Sequence, residues 1–207
     1  MELDPDSFNA HLDHMGQTVK WRRAHACPCV SPKSGAANPA CPTCRGKGYF
    51  WDAPVAGVVG FSGQKVQMAW AQYGRWQSGD IVLSIPSDSP VYAVGMFDRV
   101  TMAQGSTPFT AVVMPGETLK FPVLSIARAF VLEGGAPKDV PLPGVDGNGE
   151  LVWPPGVKPH DGAQLSLSGR RSPEYFCFGE YPQDRAFHHG AALPRRVVLR
   201  KFDLFGR

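Results

Sequence analysis

Gly79-Asp80-Ile81-Val82-Leu83-Ser84-Ile85-Pro86 sets Ile81, Leu83 and Ile85 on one side of an extended chain, with a Gly-Asp turn before them and a proline after. Side chains in a strand alternate between faces, so the stretch reads as a strand with one side against a core. Val66, Met68 and Trp70 alternate with Lys65 and Gln67 and predict another strand. Further candidates are 91–102, 109–114, 119–132, 150–153, 163–168, 174–180 and 195–202, divided by Gly79-Asp80, Pro115-Gly116, Gly134-Gly135, Gly147-Asn148-Gly149 and Pro155-Gly156. Short strands joined by Gly- and Pro-containing turns predict a mainly β fold, a small barrel or sandwich.

The N-terminus follows another rule. Asp4 can cap a helix whose first residue is Pro5, and Phe8, Leu12, Met15 and Val19 recur at helical spacing, which predicts an N-terminal α-helix with one apolar stripe. The composition divides the chain into 1–53, holding the helix and a cysteine-rich segment, and a β-rich domain 54–207, with 134–149 as a candidate subdomain joint. No apolar run approaches the length of a bilayer span, so no membrane partner is expected, and the opening MELDPDSF lacks the basic and apolar regions of a secretory signal. A net charge of +3 is too small to announce nucleic acid, although bases cluster at 20–47 and 195–207.

Cys27-Pro28-Cys29 and Cys41-Pro42-Thr43-Cys44 supply four thiols in two close pairs, separated by a loop with Pro32, Gly35 and Pro39. Four cysteines make a closed all-thiolate sphere, and the expected occupant is a structural Zn²⁺ stapling a loop too polar to order itself. Two disulfides and an iron–sulfur or redox site are the alternatives, and His25 is close enough in sequence to replace one thiolate. Lys20, Arg22, Arg23, Lys33, Arg45 and Lys47 would offset the charge of a zinc–thiolate centre, or touch phosphates. A nucleic-acid-binding zinc module with a β domain is therefore the second functional reading.

No motif with built-in catalytic mechanics occurs, so an enzyme is not expected. His188, His189 and Asp184 read as a surface loop, and His160-Asp161-Gly162 as a turn. Cys177, bracketed by aromatics, reads as a small buried residue. Trp51, Trp70, Trp76 and Trp153 read as core or interface anchors.

Trp21-Arg22-Arg23-Ala24-His25-Ala26-Cys27-Pro28-Cys29, followed by Asn38-Pro39-Ala40-Cys41-Pro42-Thr43-Cys44-Arg45-Gly46-Lys47-Gly48-Tyr49-Phe50-Trp51, resembles the N-terminal zinc motif of small virion proteins of tailed bacteriophages. The later segments Gly149-Glu150-Leu151-Val152-Trp153, Pro159 to Gly162, Ser172-Pro173-Glu174-Tyr175 and Leu193-Pro194-Arg195-Arg196-Val197-Val198-Leu199-Arg200-Lys201 are similar to the tail half of the same proteins. The resemblance implies a head-to-tail connector or neck component, made in the host cytoplasm and built into the virion. Its implied partners are further copies in a ring, the portal and adjacent neck or tail proteins, and the DNA that passes through the channel. Cys41 to Gly48 also matches one knuckle of DnaJ-type cochaperones, but that domain repeats its knuckle and this chain carries it once.

Overall fold

The computed structural model describes residues 4–62, 64–72, 74, 76–160, 162–182 and 186–205. The chain opens with α1 (Pro5–Met15), β1 (Gln17–Arg22), β2 (Ala24–Ala26), β3 (Tyr49–Trp51), β4 (Val55–Phe61), α2 (Gln64–Gln72), β5 (Ile81–Ile85) and β6 (Arg99–Met102). It continues through β7 (Thr107–Val113), β8 (Val123–Glu133), β9 (Ala136–Asp139), β10 (Gly144–Val145), β11 (Leu151–Val152) and β12 (Leu165–Arg171). It ends with β13 (Glu174–Glu180), β14 (Phe187–His188), β15 (Ala191–Ala192), β16 (Arg195–Lys201) and a 3₁₀ turn at Phe202–Leu204.

The fold is mainly β, as the alternating stretches predict, and its centre is a closed antiparallel barrel in the order β1-β4-β5-β16-β13-β6. Closure leaves the barrel no unpaired edge. Alternation decides what lies inside: Val19 and Trp21 of β1, Val59 of β4, Leu83 and Ile85 of β5, Val100 and Met102 of β6, Cys177 of β13, and Val197 and Leu199 of β16. Each large apolar side chain taken fully from water stabilises the fold by about 1.5–3 kcal/mol. These residues therefore dominate the stability of the unit.

The division expected at 53/54 is not where the chain parts. One compact unit comprises 1–104 and 174–207, and a second, 105–173, is inserted into it. The physical reason is β-pairing between distant segments: β1 lies between β4 and β6, and β6 pairs with β13, which drives the chain back into the barrel after the insertion. The stretch 134–149 is no joint between subdomains either. Gly134-Gly135 turns β8 into β9, and 147–149 turns β10 toward β11, all inside the second unit.

Asp4 caps α1 as expected, accepting a hydrogen bond from the Asp6 amide at 3.1 Å. The predicted stripe ends early, because Val19 belongs to β1 and Met15 is 68% exposed. Leu12 and Asn9 hold the helix down instead. Asn9 Nδ2 donates to Ser87 Oγ at 2.9 Å, and the Ser87 amide donates to Asn9 Oδ1 at 3.2 Å. Leu12 rests on Gly60, where an added Cβ would come within 2.4 Å of Leu12 Cδ2.

The segment from Val66 to Trp70 corrects the expected strand: it is α2. Val66 and Trp70, four apart, share the buried side against Val82 and Val198, while Met68 is 67% exposed. The alternation Val66-Met68-Trp70 is therefore the weaker of two periods present in the same residues. Similarly, the first part of 91–102 is a 3₁₀ turn over Pro90–Ala93.

In the second unit, a four-stranded antiparallel sheet runs β7-β12-β8-β9. Its core gathers Phe109, Val113, Leu119, Ala129, Leu151, Leu165 and Leu167, with Trp153 packed against them. Among the described residues, no helix is long and apolar enough to cross a membrane.

Candidate metal centre

The cysteine loop begins and ends on a two-stranded ladder. β2 pairs with β3 so that Ala24 faces Trp51, His25 faces Phe50 and Ala26 faces Tyr49, and the Cys27 amide extends it by donating to Gly48 O at 2.8 Å. Residues 27 to 48 are thereby pinched at their base. The first knuckle turns as the Val30 amide donates to Cys27 O at 3.0 Å. The second turns as the Arg45 amide donates to Cys41 O at 2.8 Å and the Lys47 amide to Cys44 O at 3.0 Å. Arg45, Gly46 and Gly48 all take positive φ, which curls the backbone just behind the last cysteine. At Gly46 a side chain would meet both that left-handed backbone and Pro39, whose Cα lies 3.3 Å from a built Cβ.

The four predicted cysteines converge. Their sulfurs lie within 4.8 Å of one another, with Cys27 Sγ 3.7 Å from Cys41 Sγ and Cys29 Sγ 3.4 Å from Cys44 Sγ. A tetrahedral ion with metal–sulfur bonds of about 2.3 Å requires sulfurs about 3.8 Å apart, so the cluster has the dimensions to hold one. All four are free thiols; Cys27, Cys41 and Cys44 are buried and Cys29 is half-buried. The Cys44 amide holds the Cys41 thiol down to about 6, whereas desolvation pushes Cys29 up to about 12. Metal binding would require all four thiols to give up their protons, a loss that the charge of the ion favours. His25 does not join the cluster. Its Nε2 lies 2.8 Å from Asp52 Oδ2 and its ring stacks on Phe50 at 5.3 Å.

Behind the loop lies an aromatic cluster that the sequence reading did not assemble. Tyr49 and Trp51 of β3 pack with Phe97, Phe176, Phe202 and Phe205, and Trp51 Nε1 donates to Phe97 O at 3.0 Å. Lys47 places its ammonium 4.9 Å from the centre of the Phe202 ring, and the Arg99 guanidinium lies 4.2 Å from the same ring. Part of the basic cluster therefore serves cation–π packing, while Lys33 and Arg45 remain exposed. The signal was the Phe202-Asp203-Leu204-Phe205 spacing, which puts two rings on one side of a single turn.

The other candidates do not converge on a site. His188 and His189 meet edge-to-face, with ring centroids 4.3 Å apart, at the β14–β15 hairpin, and Asp184 lies outside the described residues, as does Asp161 of the predicted turn. Cys177 points into the barrel, where burial pushes its thiol up to about 12. A thiol-selective reagent at pH 8 is expected to spare Cys177 in the folded protein and reach it only on unfolding, which mass spectrometry of labelled peptides would read. The unfolded chain releases this proton first as pH rises past about 8.5, so the group contributes a loss of stability from there toward 12.

No protein-family model and no curated protein matches this chain.

Proposed function

We propose that the chain is a structural protein of a tailed-phage virion, a head-to-tail connector or neck subunit that assembles with its own copies in a ring between portal and tail. The observation that carries the reading is the closed four-cysteine centre lying inside the segment that resembles the phage zinc motif. Four thiolates fill a tetrahedral sphere and leave no position for a substrate, so the centre acts as a staple. Zn²⁺ is the proposed occupant, since soft thiolates in tetrahedral array suit it and its closed shell brings no redox chemistry. Large apolar side chains exposed on both units, Met15 and Met68 on one, Val112 and Leu132 on the other, supply material for contacts with neighbours.

Two measurements test this reading. Elemental analysis of the purified chain is expected to give one zinc per chain and no iron, with no visible absorbance; iron in place of zinc would reject the metal assignment. Deleting the gene from a phage that encodes this chain is expected to leave filled heads and tails that fail to join. Normal virions after deletion would reject the connector role.

A further inference from the structure

The sheet of the second unit has two edges, and they are built differently. On β8, the Ala129 carbonyl accepts from the Val140 amide at 3.0 Å, so Ala129 and Val131 bond toward β9, and Arg128 and Phe130 bond toward β12. Antiparallel ladders alternate in this way. Carried outward, the alternation leaves Pro137 and Asp139 facing away from the sheet on β9. Pro137 has no N–H to offer, and Asp139 is a charged residue paired with Arg128 at 2.8 Å. That edge is closed to further pairing by the usual devices.

Carried the other way, the alternation turns Leu165, Leu167 and Gly169 of β12 toward Val113, Ala111 and Phe109 of β7. Pro108, Thr110 and Val112 then face outward, and Pro108 agrees with this, since a proline in the inward position would interrupt the ladder. Thr110 and Val112 retain an N–H and a C=O each. Both residues are exposed, Val112 at 68%, and among the described residues no other backbone group bonds to them. The stretch 105–116 contains no Asp, Glu, Lys, Arg or His. This edge is open.

We infer that β7 is a self-association edge, at which a second copy of this chain adds its own β7 in antiparallel register about a two-fold axis at Ala111. Thr110 then exchanges both backbone bonds with Val112 of the other copy, and Val112 with its Thr110, so every outward amide of the pair is used. Two β-branched residues face each other at these positions, a favourable cross-strand match. A two-fold axis sets like segments against each other, and an uncharged segment incurs no repulsion in that arrangement. The result is a continuous eight-stranded sheet across two copies. Ring closure uses unlike patches, so this contact stands apart from the connector reading.

Sedimentation equilibrium of the full chain, purified with its metal, tests the pairing. The wild type is expected to sediment at twice the chain mass, and Thr110→Pro, which removes one outward N–H without touching the β12 ladder, at the single mass. Val112→Lys, at an exposed position, provides a second disruption should the proline variant fail to fold. A wild type that stays monomeric, or a dimer that both folded variants leave intact, overturns the inference. A larger ring insensitive to both variants would overturn it as well, without touching the connector proposal.

Discussion

Cys41→Ser is expected to abolish stable metal binding, taking the metal content from one ion per chain to near zero after brief exposure to a chelator. Apparent binding energies of structural zinc sites run to about 10–16 kcal/mol, and most of that energy goes into ordering the peptide that supplies the ligands. Here that peptide is 27 to 48, a loop whose buried apolar cluster, apart from Val30 and Phe50, consists of the cysteines themselves. Without the ion it retains turn hydrogen bonds, the β2–β3 ladder at its base and the Lys47 contact with Phe202. Limited proteolysis should therefore cut the variant within this loop and leave the wild type whole. The barrel should survive, because none of its interior side chains comes from the loop. Cys177→Ser is the matched control and should retain its metal. A Cys41→Ser protein with unchanged metal content would refute the ligand set.

The convergence of the four cysteines was legible in the sequence because its determinants are local. Two cysteine pairs, glycines behind the last ligand and turn residues between suffice to predict convergence, and nothing distant in the chain is needed to verify it. The β character of 79–86 was legible for the same reason. What the sequence did not disclose depends on long-range contacts. Val66 and Trp70 could mark either a helix or a strand, and only the groove over Val82 and Val198 selects the helix. The insertion of 105–173 was hidden because β6 and β13 pair across it, and no composition change marks a chain that leaves a barrel and returns.

Buried carboxylates were the least visible. Gly79-Asp80 reads in sequence as a turn, yet Asp80 is 6% exposed and forms a two-point ion pair with Arg200, at 3.0 Å to Nε and 2.9 Å to Nη2. It also accepts from Trp70 Nε1 at 3.3 Å, and the guanidinium covers the Phe178 ring at 3.8 Å. A polar residue next to a glycine is ordinarily solvated. Only the arrival of β16 beside β5, 120 residues later in the chain, converts this one into a buried anchor.

Asp98→Ala is expected to be the most damaging single change outside the metal ligands, lowering unfolding free energy by about 3–5 kcal/mol in a denaturant titration. Asp98 is 3% exposed and spends both carboxylate oxygens on N–H donors. Trp21 Nε1 donates to Oδ2 at 2.7 Å, the Gly95 amide to Oδ2 at 2.8 Å and the Ala24 amide to Oδ1 at 2.7 Å. Its own backbone carbonyl accepts from the Cys177 amide at 2.8 Å. One residue thus ties the end of β1, the start of β2, the exit of the 3₁₀ turn and β13. Truncation strands three donors around a small void, each costing about 1–3 kcal/mol less whatever water recovers. Asp98→Asn separates shape from chemistry: it preserves volume, but its amide group must point a donor at a donor, so it should lose nearly as much stability as alanine. Arg128→Ala, which breaks an exposed ion pair with Asp139, should cost under about 1 kcal/mol. An Asp98→Asn protein as stable as the wild type would mean that packing, and not the hydrogen bonds, holds this junction. Because the Ala24 amide opens the strand that leads into the metal loop, the same substitution should also loosen metal retention, whereas a defect confined to the barrel would leave it unchanged.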